Sequence, residues 1–268
     1  MPGTITPDAR TGVGVEIPID IDTLRSLAPH LSTPLALRVL RGVSLISDGA
    51  SVELTATDGF RMAIYREEIA RPKVTTIIPP ELVKAMLRAK QSGTLTITPA
   101  KLTWHAGGSG TPTAVGQPIP GTFPHYHQLI PAPPHKTIVS VNRRQLLAAV
   151  VAAAKDTKAS VKEQAWMLDK LAKRELESEG SRVRFEAANG ALGIETRLSG
   201  ATMVSASLAA GVEGDANKIA FTSKYLIEAL KSLSGETVTI SLTDPVAPAL
   251  FEDGGPLLVV VMPMFVDW

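Results

Sequence analysis

Leu242-Thr243-Asp244-Pro245, Ala247-Pro248-Ala249-Leu250 and Val259-Val260-Val261-Met262-Pro263-Met264 form two strand-like runs ending in an apolar Met-Pro-Met, four residues before the end of the chain. β-Branched residues favour strands, and proline interrupts a sheet ladder. Far upstream, Ala56-Thr57-Asp58-Gly59-Phe60-Arg61-Met62-Ala63 sets a tight Asp-Gly turn between two further strand-like pieces. An Asp carboxylate in such a turn bonds nearby backbone amides, so Asp58 reads as structural.

Outward from these two anchors the chain is rich in proline and glycine, with β-branched alternation between them. Strands are expected over 37–47, 51–57, 61–67, 74–78, 94–98 and 101–105, then over 137–141, 182–188, 191–198, 202–208, 236–243 and 257–262. Asp48-Gly49 and Asn189-Gly190 mark tight hairpins. Four helices are expected. Residues 20–31 place Leu24, Leu27 and Leu31 on one face. Residues 80–91 start with proline in the first turn and align Leu82, Met86 and Ala89. Residues 142–155 start at an asparagine cap and turn Leu146, Leu147, Val150 and Ala154 inward. Residues 223–233 start at a serine cap with Leu226, Leu230 and Leu233 inward. Residues 158–170 read as either a fifth helix or a loop.

The order strand, helix, strands, helix, strands occurs twice, which predicts an α+β architecture of two domains, each with two helices packed on antiparallel β-sheets. A flexible segment over 1–15 precedes domains over 16–133 and 134–268, with the boundary at Ala132-Pro133-Pro134. At 268 residues each domain has room for its own core.

The net charge of +1 excludes a strongly basic or acidic chain, so the distribution of charge carries the information. The four helices hold nine basic residues: Arg25, Lys84, Arg88, Lys90, Arg143, Arg144, Lys155, Lys224 and Lys231. They hold four acidic residues, Asp20, Asp22, Glu81 and Glu228, for a net +5. The rest of the chain, with 18 basic and 22 acidic residues, is −4. Helices facing phosphates inside an outer surface that repels DNA would show this split. Lys and Arg are also good helix formers on any solvated face. Any contact would be to backbone phosphates, because nothing resembles a recognition helix.

There is no cysteine, hence no disulfide framework and no thiolate metal site. No run is long enough to span a bilayer, and the first residues lack a signal pattern, so an unsecreted protein with no membrane partner is expected. His125 and His127, with His105 and His135, lack the carboxylate neighbours of a metal site. Gly107-Gly108-Ser109-Gly110-Thr111 lacks the lysine of a phosphate loop and reads as a hairpin tip. Trp104 and Trp166 read as packing residues. No cofactor and no catalytic residue are expected.

These pieces resemble, in order, the bacterial DNA polymerase III beta subunit, the sliding clamp family. Thr57-Asp58-Gly59-Phe60-Arg61-Met62 looks like a hairpin of the middle clamp domain, and Ile77-Ile78-Pro79 like the approach to that domain's second helix. Gly121-Thr122-Phe123-Pro124-His125-Tyr126, with Leu129-Ile130-Pro131, is similar to the family's linker. Val141-Asn142-Arg143-Arg144-Gln145-Leu146-Leu147 and Phe221-Thr222-Ser223-Lys224-Tyr225-Leu226 look like the two helix starts of the last domain.

The resemblance implies the DNA-clamp fold and a ring that encircles double-stranded DNA without reading sequence. It also implies a non-catalytic processivity factor that tethers DNA polymerase and meets a clamp loader through short apolar peptides. The implied peptide groove uses Leu40, Thr57, Gly59, Phe60, Arg61 and Met62, then Pro124 and Leu129, then Val246, Pro248, Val260, Met262, Pro263 and Met264. By residue type alone, Val260, Met262 and Met264 also fit core strand positions. The family has three domains per chain; this chain matches the middle and last. A ring of six would then need three chains, so a homotrimer is expected. A bacterial cytoplasm, at the nucleoid or in a phage-infected cell, is the implied location. The rival reading is a clamp-like adaptor or inhibitor that binds clamp-interacting peptides without encircling DNA. Gln128, Phe60 and Phe265 depart from the family's usual arginine, histidine and arginine, which puts partner specificity in question.

Overall fold

The computed structural model describes residues 14–32, 37–108, 110–164, 181–198 and 201–266. Two compact units divide the chain, Met1–His125 and Tyr126–Trp268. The division falls seven residues before the Pro133-Pro134 pair; Tyr126 at its start is buried and stacks on His127, with ring centroids 4.4 Å apart.

The first unit repeats one motif, a strand, a helix and three strands. β1 (Val15–Ile19), α1 (Ile21–Leu27), β2 (Val43–Ser47), β3 (Val52–Thr57) and β4 (Arg61–Glu67) form the first copy. β5 (Val74–Ile78), α2 (Pro80–Ala89), β6 (Gly93–Ile97), β7 (Leu102–Ala106) and β8 (Ala114–Gly116) form the second. The copies exchange their leading strands: β5 pairs with β2, and β1 pairs with β6. The result is two antiparallel sheets, β4-β3-β2-β5 and β1-β6-β7-β8. Leu24, Leu27, Leu82, Met86 and Trp104 are fully buried in its core. Burying each such side chain stabilises the fold by about 1.5–3 kcal/mol.

The second unit uses the same plan. β9 (Thr137–Asn142), α3 (Arg143–Gln164), β10 (Arg182–Ala188), β11 (Ala191–Leu198) and β12 (Ala201–Gly214) are followed by β13 (Asn217–Thr222), α4 (Ser223–Ser232), β14 (Thr237–Leu242), β15 (Ala249–Glu252) and β16 (Leu257–Val261). Again the leading strands cross over, β9 to β14 and β13 to β10. Here the fourteen-residue β12 pairs with β11 through Ala209 and with β9 from Ala210 to Gly214. One continuous sheet results, β13-β10-β11-β12-β9-β14-β15-β16. Phe221 packs edge-on against Phe185 and Phe251, with centroids 5.7 and 5.8 Å away.

Several expectations need correction. The strand expected over 37–47 begins only at Val43; Arg38–Arg41 is a 3-10 turn. Gly42 separates them, where a Cβ would sit 2.5 Å from the Ile78 carbonyl oxygen. α1 stops at Leu27, and a 3-10 turn containing Pro29 takes the chain to His30, since proline lacks the amide a helix would use. α2 stops at Ala89, because Lys90 turns left-handed (φ 54°) and closes the helix onto the Leu87 carbonyl. α3 runs nine residues beyond Lys155, so the first part of the segment read as helix or loop is helix. Asn142 caps it as expected, accepting from the Gln145 amide at 3.0 Å. Its inward residues are Leu146, Val150, Ala153, Thr157 and Val161, with Leu147 and Ala154 only half-buried. α4 starts at Ser223 after a Thr222 cap residue whose side chain bonds elsewhere. β1, β8, β13 and β15 were absent from the expected strands; β1 carries Pro18 and, like β8, lies at a sheet edge. The segment expected to be flexible over 1–15 lies outside the described residues except for Gly14 and Val15, as do Ser109, Trp166, Asp267 and Trp268.

Candidate functional site

The β3–β4 hairpin is tied by its own side chains. Asp58 Oδ1 accepts from the Phe60 and Arg61 amides at 2.9 and 3.1 Å. The Thr57 hydroxyl donates to the Arg61 carbonyl and accepts from the Gly59 amide. Gly59 sits at φ +91°, open to glycine without strain. Arg61 points inward: its Nε donates to Asp58 Oδ2 at 3.1 Å and its Nη2 to the Pro29 carbonyl at 2.6 Å. The guanidinium therefore clamps the hairpin to the turn after α1. His30 is fully buried there; burial, and then the Arg61 charge, push its pKa down to about 3. Held this way, the hairpin leaves Phe60 60% exposed at its tip, while Met62 is buried. Leu40 and Thr57 are half-buried and Pro124 is exposed.

In the second unit, antiparallel pairing of Ala249 with Val261 brings the chain before β15 and the chain after β16 to one end of the hairpin. Asp244 holds the approach, accepting from the Val246 amide at 3.0 Å. Met264 is pinned on the other side: its amide donates to the Ala220 carbonyl at 2.7 Å, and the Thr222 hydroxyl donates to its sulfur at 2.9 Å. Val246 and Met262 are exposed, Pro248, Pro263 and Met264 half-buried, and Val260 buried on β16. Leu129 is exposed on a 3-10 turn of the same unit. Phe265 is the most exposed large apolar residue among the described ones, at 77%. Thus Val260 behaves as a core strand residue, and Arg61 and Met62 as supports of the hairpin.

The helix cations divide too. Lys84, Arg88, Lys90, Arg144, Lys155, Lys224 and Lys231 are exposed. Arg25 is exposed but paired with Asp22 on the same helix. Arg143 turns inward, donating to the carbonyls of Leu230 (3.0 Å), Ser234 (3.4 Å) and Gly235. It closes the end of α4, where helix carbonyls lack partners, and so serves the fold. The longer α3 also exposes Lys158 and Lys162, which the four expected helices did not include. They follow Lys155 at i+3 and i+7, a spacing that puts all three on one side of a helix.

Among the described residues no cluster of three or more His, Asp or Glu side chains could hold a metal ion, and no helix is long and apolar enough to cross a membrane.

This geometry has relatives. The chain is 26% identical over 254 residues to the beta sliding clamp of Synechococcus elongatus, covering 91% of this chain and 63% of that one. It is 24% identical over 245 residues to the beta sliding clamp of Bacillus subtilis, covering 88% of this chain and 60% of that one. The chain thus spans less than two thirds of the length of these relatives. In fold, it matches the DNA polymerase sliding clamp of Pseudomonas aeruginosa with a TM-score of 0.76 at 21% identity, over 97% of this chain and 69% of that one. Residues 128–264, half of the chain, match the family description of the DNA polymerase III beta subunit, C-terminal domain. The protein belongs to the DNA polymerase III beta subunit family, the sliding clamps.

Proposed function

We propose that this chain is a sliding clamp: copies assemble head to tail into a ring around duplex DNA, and the exposed apolar residues receive short peptides from a polymerase and a clamp loader. The observation that carries this reading is the set of bare helix cations. Lys84, Arg88, Arg144, Lys155, Lys224 and Lys231 are exposed and have no acidic partner among the described residues. Water-screened attraction to phosphates is sequence-independent and permits sliding. A polymerase held through exposed apolar residues would stay near its template through effective concentration. No step needs catalysis by this chain, and loading falls to an ATP-driven partner in the cytoplasm. With two clamp units per copy, three copies supply six.

The test is solution mass by light scattering across a concentration series. A mass near three times the 28.3 kDa of one chain is expected. A persistent monomer would overturn the autonomous ring and leave the adaptor or inhibitor reading. For the apolar surface, Met264→Ala is expected to weaken binding of an apolar peptide about tenfold, the scale of losing a buried thioether contact; unchanged affinity would move the peptide site elsewhere.

A further inference from the structure

We propose that the last two turns of α3 extend the DNA-facing surface, with Lys158 and Lys162 joining Arg144 and Lys155 in one row of phosphate contacts. This rests on the clamp reading above.

An α-helix turns by about 100° and rises about 1.5 Å per residue. Measured from Arg144, the positions of Ala148, Val151, Lys155, Lys158 and Lys162 all fall within about 40° of one line along α3. All six residues are exposed. Leu146, Val150, Thr157 and Val161 lie on the opposite side and are buried. The row is about 27 Å long from Arg144 to Lys162, and the two acidic residues of α3, Asp156 and Glu163, stand at positions about 120° and 100° to one side.

The far end of the row is anchored. The Thr157 hydroxyl donates to the Ala153 carbonyl at 2.8 Å and shares a second, 2.9 Å hydrogen bond with the Thr196 hydroxyl of β11. One turn later Val161 packs with Leu198. These contacts fix the rotation of the helix, and with it the side on which the lysines stand.

Two cations on the strands of this unit are neutralised: Arg197 pairs with Glu195 and Lys218 with Glu186. Arg144, Lys155, Lys158 and Lys162 have no acidic partner among the described residues. An unneutralised row of cations, three of them within about 11 Å at its far end, matches a polyanion. The small apolar Ala148 and Val151 within it offer no groups to read base edges, so duplex phosphate backbone is the fitting ligand.

Binding of a fluorescein-labelled DNA duplex to the full chain, followed by anisotropy across a salt series, tests this. Each phosphate contact contributes about −0.9 to the slope of log K against log salt. Lys158→Gln with Lys162→Gln is expected to flatten the slope by about 1.8. Lys158→Arg with Lys162→Arg should keep it, and so should Lys73→Gln with Lys101→Gln, which removes two exposed lysines away from the helices. An unchanged slope in the α3 glutamine variant overturns the inference alone. Equal flattening in the Lys73 and Lys101 variant overturns it as a net-charge effect. Equal flattening in the arginine variant overturns it as a helix distortion. No duplex binding by the unaltered protein at low salt overturns the clamp reading together with the inference.

Discussion

In the first unit α1 pairs Arg25 with Asp22, and α2 carries Glu81 on the same helix as Lys84 and Arg88. In the second unit α3 lines up Arg144, Lys155, Lys158 and Lys162 with no acidic residue in the row. Both units also turn one arginine inward to bind backbone carbonyls. Arg61 reaches Pro29, and Arg143 reaches Leu230, Ser234 and Gly235. One residue type thus has two jobs, and acceptor geometry separates them. An arginine next to unpaired carbonyls at a helix end holds the fold, whereas a cation in an acid-free helical row remains available to a ligand.

The largest test of this contrast is Arg61→Met. It leaves Asp58, only 14% exposed, without its partner. Removing one member of a buried pair costs about 3–5 kcal/mol. Urea unfolding should show that loss, and a change under about 1 kcal/mol would deny Arg61 its role as a clamp. The same corner of the first unit should respond to acid. Unfolded His30 takes a proton below about 6.5, whereas folded His30 takes one only near 3. Between these values the unfolded state binds more protons, so stability should fall as pH drops from 6.5 toward 3. Unfolding midpoints across that range should decline less steeply in His30→Gln; equal decline would remove His30 from the account. The smallest effect is expected from Lys84→Gln with Arg88→Gln. If α3 dominates the grip, these changes weaken duplex binding less than Arg144→Gln with Lys155→Gln, within about tenfold at moderate salt. Equal losses would spread the grip evenly over both units.

Local chemistry was legible in the sequence. Asn189-Gly190 predicted its hairpin because the two-residue turn needs left-handed backbone at adjacent positions, and Asn189 and Gly190 adopt φ of 52° and 74°; at Asp48-Gly49 only the glycine is left-handed (φ 102°), and the Asp48 carboxylate holds the turn by accepting from the Ala50 and Ser51 amides. The range 61–67 coincides with β4 because turn and alternation bound it on both sides. The length of α3 was hidden because Thr157 looks like a solvent residue until Thr196, distant in sequence, supplies its partner. The inward turn of Arg143 depends on carbonyls 87 to 92 residues away. Thr222 was passed over as a cap residue because its hydroxyl serves Met264, 42 residues on. On the apolar surface, residue type could not tell the exposed Phe60 and Met262 from the buried Met62 and Val260.

The long β12 has a consequence for how the second unit opens. Because it hydrogen-bonds β11 with one stretch and β9 with the next, it rivets both motif copies of the second unit into a single ladder. Amide hydrogens along β9, β11 and β12 should therefore exchange with solvent at a common, slow rate set by cooperative opening. The first unit has no such rivet among its described strands, and its two sheets are free to exchange at separate rates.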